Sequence, residues 1–478
     1  EKLDKILKIW DQVSNIKKLI VFDSYVPKDI PNVMLFSEFI HTGLDDHSFE
    51  QHIDKSDPND VISFIYTSGT TGNPKAGVIT NSNVISSIEH LPKMLDISQK
   101  DLTVAYLPLA HIAERLLGHF LKLVYGNQTA FAESIEDMPN NIRQVGPSIL
   151  FGTPRVFEKF YAKIATSISD ATWIQKKIYH WAIGIGKEIS IAKGSNSFSL
   201  KLKERLAKLL IYNKIKDIFG GRIRYMISGA APISPDIVNF FKWMNITILE
   251  GYGMTETTGV ISINLPHAVK IGSVGKPYPN TKVKIAGDGE ICVSAPQNIE
   301  NYFNNKEATD RLLKPDNNGR YWLHTGDVGY IDDDGYLFIT DRKKDILITA
   351  GGKNVAPQYI ENLLKTIPYV SQSMVYGDAK PYLTALITLD DDEITKFARD
   401  RKILYQDLSD LSQKREVVQL INNEIQFINE KLPSYETIKK FKILEEDFDQ
   451  DKDELTPTFK VKRKVVIDNY KILLESMY

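Results

Sequence analysis

The run Val61-Ile-Ser-Phe-Ile65 leads without a break into Tyr66-Thr-Ser-Gly-Thr-Thr-Gly-Asn-Pro-Lys-Ala-Gly-Val-Ile-Thr80, and this junction constrains the fold more than any other part of the chain. β-Branched and aromatic residues favour a strand in the first run. The second run is a loop of hydroxyls and glycines that closes on a lysine. Gly69 and Gly72 let the backbone approach a ligand and expose its N–H groups. Thr67, Ser68, Thr70 and Thr71 add hydroxyl donors, and Lys75 adds a point positive charge. The combination suits a polyphosphate. A Walker A loop is excluded, because that pattern needs a glycine and a hydroxyl where the chain has Pro74 and Ala76. Pro74 also removes an N–H that a P-loop would use.

From residue 60 to about 340 short apolar runs alternate with helical stretches. Thr103–Leu107, Ser148–Phe151, Arg224–Ile227 and Ile246–Leu249 read as buried strands of an α/β sheet. Ligand loops are then expected at the carboxyl ends of such strands, after Ile65, Leu107, Ile227 and Leu249. A length of 478 residues supports two or three domains and a large core. A formal net charge of −2 argues against nucleic acid as the main partner. Cys292 is the single cysteine, so there is no intramolecular disulfide framework, as expected for a reducing compartment. It lies in the strand-like run Glu290–Ser294 and reads as a core residue. No apolar run approaches the length of a membrane span, no signal peptide is evident, and nothing repeats internally.

Four further segments carry chemistry. Tyr106-Leu-Pro-Leu-Ala-His-Ile-Ala-Glu-Arg115 puts His111 after a strand, where it can orient a carboxylate or simply cap the next turn. Ser228-Gly-Ala-Ala-Pro232 offers small residues, Gly229, Ala230 and Ala231, against which a flat ligand fits. Glu250-Gly-Tyr-Gly-Met-Thr-Glu-Thr257 brings Gly251, Tyr252, Gly253, Met254, Thr255 and Glu256 together. There Tyr252 offers a face for a purine, Thr255 a hydroxyl for a phosphate, and Glu256 a hard oxygen ligand for Mg²⁺. Finally, Leu323–Val328 and Thr340–Asp345 supply Asp327, which can accept from both hydroxyls of a ribose, and Arg342, which can add donors to the same sugar.

In this order and at these separations, the five motifs resemble those of the adenylate-forming superfamily, and the Leu-Pro-Leu-Ala-His segment resembles that of long-chain fatty-acid–CoA ligases. The resemblance spans essentially the whole chain. It implies an α/β fold: a large multi-layer N-terminal domain, residues 1–341, and a small α+β C-terminal domain, residues 342–478, that rotates on a hinge at Lys344. Chain material equivalent to Glu1–Phe22 lies well inside the N-terminal domain of the family, so the first part of that domain is expected to be missing. The resemblance further implies ATP, Mg²⁺ held by Glu256, and CoA as co-substrate. Catalytic roles fall to Lys75, Thr255, Glu256 and Lys460, the last in Glu454-Leu-Thr-Pro-Thr-Phe-Lys-Val-Lys-Arg463, where motif position selects it among three basic residues. ATP or AMP contacts go to residues 67–72, Lys75, 229–231, 251–255, Asp327, Arg342 and Lys460. His111 and Ala230 border the acyl group, and Gly351, Gly352 and Lys353 line the path of CoA.

The expected activity is activation of a medium- or long-chain fatty acid to an acyl adenylate, then transfer to CoA. The alternatives are a fatty acyl-AMP ligase that loads a carrier protein, or a non-catalytic relative that binds nucleotide and acid. Three departures from the family pattern stand out, the first being Ala76-Gly77 where a glycine commonly follows the lysine. Asn81 replaces a common histidine and is expected to cap the adjoining helix. The segment 294–303 lacks the usual Gly-Pro and Gly-Tyr pairs. Between Trp173 and Leu210, two helical stretches combine apolar stripes with Lys176, Lys177, Lys187, Lys193, Lys201, Lys203 and Lys208. The plainer expectation is a packed helical insertion with solvated lysines; peripheral contact with the inner membrane surface of a cytoplasmic enzyme is the other. The sequence sets neither the preferred chain length nor the oligomeric state.

Overall fold

The computed structural model describes residues 2–13, 15–22, 32–43, 48–67, 74–135, 137–192, 197–456 and 459–478. The chain divides into two compact units, Glu1–Asp60 and Val61–Tyr478. In the first, helix Lys2–Leu7 and a 3₁₀ turn at Trp10–Gln12 precede strands Leu19–Val21 and Val33–Leu35, which pair in parallel. Of the expected buried strand only Val21 is fully enclosed.

The second unit is built on a five-stranded sheet. Its strands Ile149–Gly152, Tyr225–Ser228 and Thr247–Met254 run parallel, and Gly259–Ile263 and Lys276–Pro277 complete it antiparallel. These first three were expected as buried strands, and they are rich in apolar residues because helices pack against them. The core on one side draws on helices Pro154–Ser169 and Pro235–Trp243 through Phe157, Phe160, Ile237 and Phe241. A second antiparallel sheet joins Lys282–Ile285, Glu290–Ser294, Leu313–Pro315, Tyr321–Ile331 and Leu337–Arg342. Cys292 is fully buried in it, as expected.

The structure adds to the reading of two motifs. The strand Val61–Thr67, read from the sequence as leading into the hydroxyl and glycine loop, pairs antiparallel with Lys75–Thr80 as a hairpin, in register Thr67 opposite Lys75. The reason is its alternation, with Ser63 and Ile65 buried and Val61, Ile62, Phe64 and Tyr66 exposed, which is the pattern of a two-faced strand. The strand expected to end at Leu249 continues to Met254, because Gly251 and Gly253 pair across to Gly259–Ile263. A side chain at Gly253 would run into the Gly259 carbonyl, so this glycine serves strand packing.

Helix Asn81–Ile88 is capped by Thr80, not Asn81. Thr80 Oγ1 accepts from Asn83 N at 3.3 Å and Asn83 Oδ1 accepts from Thr80 N at 3.1 Å. Thr80 holds the extended conformation a cap needs because it ends the hairpin, which puts Asn81 inside the first turn.

Beyond residue 346, strands Val370–Tyr376, Leu383–Leu389 and Ile438–Ile443 form a three-stranded sheet with helices Pro357–Leu364, Asp391–Arg401 and Arg415–Asn429. Val417, Ile421, Ile425 and Ile428 of the last helix are buried at helical spacing, so the stripe read from the sequence is core.

Candidate nucleotide-binding site

The site is assembled where the hairpin, the strand Thr247–Met254, the second sheet and the C-terminal loop meet. Asp327 and Arg342 face each other across adjacent antiparallel strands. Arg342 Nε lies 3.1 Å from Asp327 Oδ1, and the Tyr252 hydroxyl donates to Asp327 Oδ2 at 2.6 Å. Asp327 is 5 % exposed. Its backbone is set by Thr325 Oγ1, which accepts from Asp327 N and donates to the Ile291 carbonyl. Glu290 fixes the preceding turn by accepting from Gly326 N at 2.9 Å. Burial and the Asp327 charge push the Tyr252 phenol well above its ordinary range, so it stays a donor.

A second constellation lies at Glu256, on the turn Thr255–Thr257 at the end of that strand. The Tyr302 hydroxyl donates to Glu256 Oε1 at 2.5 Å, and Lys75 Nζ lies 5.5 Å from the centre of the same ring. Burial, Glu256 and its hydrogen bond raise the Tyr302 phenol far above its usual value. Tyr302 is held by a bridge to Gly77 of the hairpin. Thr255 touches the same strand, its methyl 3.6 Å from where a Gly77 Cβ would stand. Sequence reasoning missed Tyr302. It lies in the segment marked only for lacking family pairs, and a tyrosine before Phe303 in a polar loop gives no signal.

Cations converge on this region. Lys460 is half-buried, and burial and the neighbouring Arg342 lower its pKa to about 8, against the opposing pull of Asp327, Asp345 and Asp341. Burial likewise lowers Lys344, as do Arg342 and Lys75. Cations that depress one another mark a site shaped for an anion. The other two basic residues of the C-terminal loop point elsewhere: Lys462 pairs with Asp453, and Arg463 donates to Glu361 at 2.6 Å and to the Val375 carbonyl at 2.7 Å. The Lys460 turn is closed by Lys460 N donating to Thr456 Oγ1 at 3.0 Å, with Phe459 left-handed at φ 61°.

The remaining expected residues divide. Ser68, Gly69, Thr70, Thr71 and Gly72 lie outside the described residues. Gly229 comes after a buried strand beside Gly251, whose carbonyl lies 3.6 Å from the Cβ position of Gly229. Ala230, at φ 71°, is exposed and Ala231 half-buried. His111 makes local contacts: its Nδ1 accepts from Ala113 N at 3.3 Å, and burial lowers its pKa. That is the capping geometry, in the neutral tautomer with Nε2 protonated. Gly351, Gly352 and Lys353 are exposed in the turn between Leu347–Ile348 and Asn354–Val355, with Lys353 over the Tyr435 ring.

Among the described residues no group of three or more histidines, cysteines and carboxylates converges for a metal. Glu256, with a carboxylate oriented by Tyr302, fits an ion that arrives with phosphates and keeps most of its ligands from them and from water.

Sheet, hairpin and cation cluster have the form of a nucleotide-dependent enzyme in two parts. A family model described as AMP-binding enzyme matches residues 8–303, and one described as AMP-binding enzyme C-terminal domain matches residues 344–478. The chain belongs to the AMP-binding enzyme family. It is similar to a long-chain-fatty-acid–CoA ligase of Xenopus laevis, 34% identical over all of this chain and 69% of the relative. A ligase of the same description from Mycobacterium tuberculosis is 35% identical over 88% of this chain and 69% of its own length. In fold it resembles the AMP-bound A-PCP didomain of a carboxylic acid reductase from Segniliparus rugosus, with TM-score 0.70, 21% identity, and coverage of 100% of this chain and 64% of that one. It also resembles the o-succinylbenzoate CoA synthetase of Bacillus subtilis, with TM-score 0.64, 20% identity, and coverage of 97% and 80%.

Proposed function

We propose that this chain is an ATP-dependent, AMP-forming ligase that converts a medium- to long-chain fatty acid to its CoA thioester. The observation that carries the reading is the convergence of Lys75, Lys344, Arg342 and Lys460 around Asp327 and Glu256 in a chain whose relatives are named for this reaction. The fatty carboxylate attacks the α-phosphorus of ATP, and pyrophosphate leaves. Bringing anions together is the barrier, and preorganised cations lower it. Lys75 and Lys460 supply that charge, Thr255 and the 68–72 loop donate to phosphate, Tyr252 stacks the purine, and Asp327 with Arg342 holds the ribose. Mg²⁺ on Glu256 would neutralise the phosphates. The C-terminal domain, residues 342–478, then rotates at Lys344, withdrawing Lys460 and bringing Gly351, Gly352 and Lys353 toward CoA. The thiolate attacks the adenylate carbonyl and AMP leaves. Incubation with MgATP, CoA and a ladder of fatty acids, with products read by mass spectrometry, tests this. Acyl-CoA with AMP supports it; acyl adenylate without thioester points to a carrier-loading ligase, and no AMP to a binding protein.

A second reading concerns where the enzyme works. No helix among the described residues is long and apolar enough to cross a membrane. Yet Phe198, Leu202, Leu206 and Leu209 form one exposed stripe along Phe198–Tyr212, with Phe198 at 86 % and Leu209 at 68 % exposure. The adjoining helix Trp173–Ala192 exposes Trp173, Ile174 and Ile191. Residues 173–210 hold eight basic and two acidic side chains in a chain of net charge −2. Apolar residues flanked by cations fit an anionic bilayer surface, where the fatty acid is dissolved. Cosedimentation with phosphatidylglycerol vesicles, lost in Phe198→Ser/Leu202→Ser, supports this; equal pelleting of both proteins, or of neither, counts against it.

A further inference from the structure

We propose that Arg155, on the helix Pro154–Ser169, is a positioning residue for adenylate formation, acting through the C-terminal region to keep Lys460 at the nucleotide site. The inference rests on the ligase reading above. Arg155 Nη2 donates to Ser371 Oγ at 2.6 Å and lies 3.6 Å from Asp390 Oδ2. Ser371 in turn donates to Asp447. One residue along the same strand, Gln372 Nε2 donates to the carbonyl of Phe459 at 3.4 Å, the residue directly before Lys460. A continuous path therefore runs from a helix of the large sheet, through the edge of Val370–Tyr376, to the turn that presents the lysine.

The same helix makes two further charged contacts with the C-terminal region. Lys365 Nζ lies 3.1 Å from Glu158 Oε1, and Asp170, just past the last turn, pairs with Lys396. Glu158 is buried, its side chain 2 % exposed, and its Oε2 has no hydrogen-bond partner among the described residues. Desolvation offsets most of the attraction in such a pair, so it fixes an orientation without holding it tightly. An interface that must open in every turnover needs that property. In the thioester step Lys460 must leave, so these contacts serve only the first half-reaction.

The test separates the two half-reactions in the intact 478-residue chain. ATP–pyrophosphate exchange with a fatty acid reports adenylate formation, and synthetic acyl adenylate with CoA reports thioester formation. Arg155→Ala should lower exchange by at least about tenfold while thioester formation stays within about twofold, which also shows that the variant is folded. Glu158→Lys should lower exchange, and adding Lys365→Glu should restore it. Equal losses in both half-reactions, no loss in exchange, or no rescue overturns the proposal. If the unaltered protein performs neither half-reaction, the ligase reading fails instead. The positioning role is then read without chemistry, from spin labels at Ser167→Cys and Asp400→Cys, the native Cys292 being buried. A narrow distance distribution that broadens with Arg155→Ala supports the role, and an unchanged one overturns it.

Discussion

Tyr302 ties the Glu256 carboxylate to the Lys75 ammonium: its hydroxyl donates to the first at 2.5 Å and its ring lies 5.5 Å under the second. One residue thus sets a cation and a metal-competent carboxylate in relation without letting them neutralise each other. Tyr302→Phe keeps the ring and removes the donor. The variant should melt within a few degrees of the unaltered protein, since one hydrogen bond contributes about 1 kcal/mol. Adenylate formation should fall about tenfold or more, with a higher Mg²⁺ requirement, because Glu256 loses its orientation. A magnesium titration of pyrophosphate release checks this, and an unchanged midpoint would count against it.

Asp327 carries two partners on two oxygens, Arg342 and Tyr252. Asp327→Asn halves that capacity and leaves the half-buried Arg342 guanidinium short of charge. Asp327 is buried but Arg342 is partly solvated, so the loss is smaller than for a fully buried pair and the melting temperature should drop modestly. The KM for ATP should rise by at least about tenfold, while the KM for the fatty acid stays within about twofold. Comparable increases for both substrates would remove Asp327 from the nucleotide site.

The parts of this site that were legible in the sequence are those whose composition reports a ligand. Asp327, Arg342, Tyr252 and Glu256 sit in segments too rich in glycine, hydroxyl and charge to be ordinary turns. Lys460 was separable from Lys462 and Arg463 only by motif position; the structure adds that those two are engaged with Asp453 and Glu361. The strand at 61–67 was legible but its antiparallel pairing with Lys75–Thr80 was not, because alternation over so few residues competes with a uniformly apolar look: Val61, Ile62, Phe64 and Tyr66 are apolar yet exposed. The strand through Met254 was cut short because glycines usually punctuate, and here they allow close pairing. Tyr302 and Arg155 act through contacts across more than two hundred residues of sequence or between elements, Arg155 with Ser371 at a separation of 216, which no local pattern encodes.

Lys460 titrates near pH 8, held down by burial and by Arg342. Only the ammonium form offers charge to phosphate. Its occupancy in the free enzyme falls as pH rises through about 8, so kcat/KM for ATP in pyrophosphate exchange should decline above that value. Lys460→Arg keeps its charge throughout and should lose this decline, even if its rate at pH 7 is lower. A pH profile with the same alkaline limb in both proteins would assign it to another group.

Glu250 is buried directly before Gly251 and accepts from Gly272 N at 3.1 Å. Burial raises its pKa to about 8 from an ordinary value of 4.5, an effect the Gly272 hydrogen bond only partly opposes. Between those values the folded chain holds a proton that the unfolded chain has lost. By linkage, stability falls as pH rises from about 4.5 toward about 8, at up to about 1.4 kcal/mol per pH unit. Asp341, raised by burial to about 6, adds a contribution of the same sign over the lower part of that window. Glu250→Gln keeps the shape and cannot ionise. Its urea midpoint should vary less between pH 6 and 8 than that of the unaltered chain, and should exceed it most at pH 8. Parallel profiles for the two proteins would mean that Glu250 is already ionised in the fold, with its charge met by a group other than the Gly272 amide.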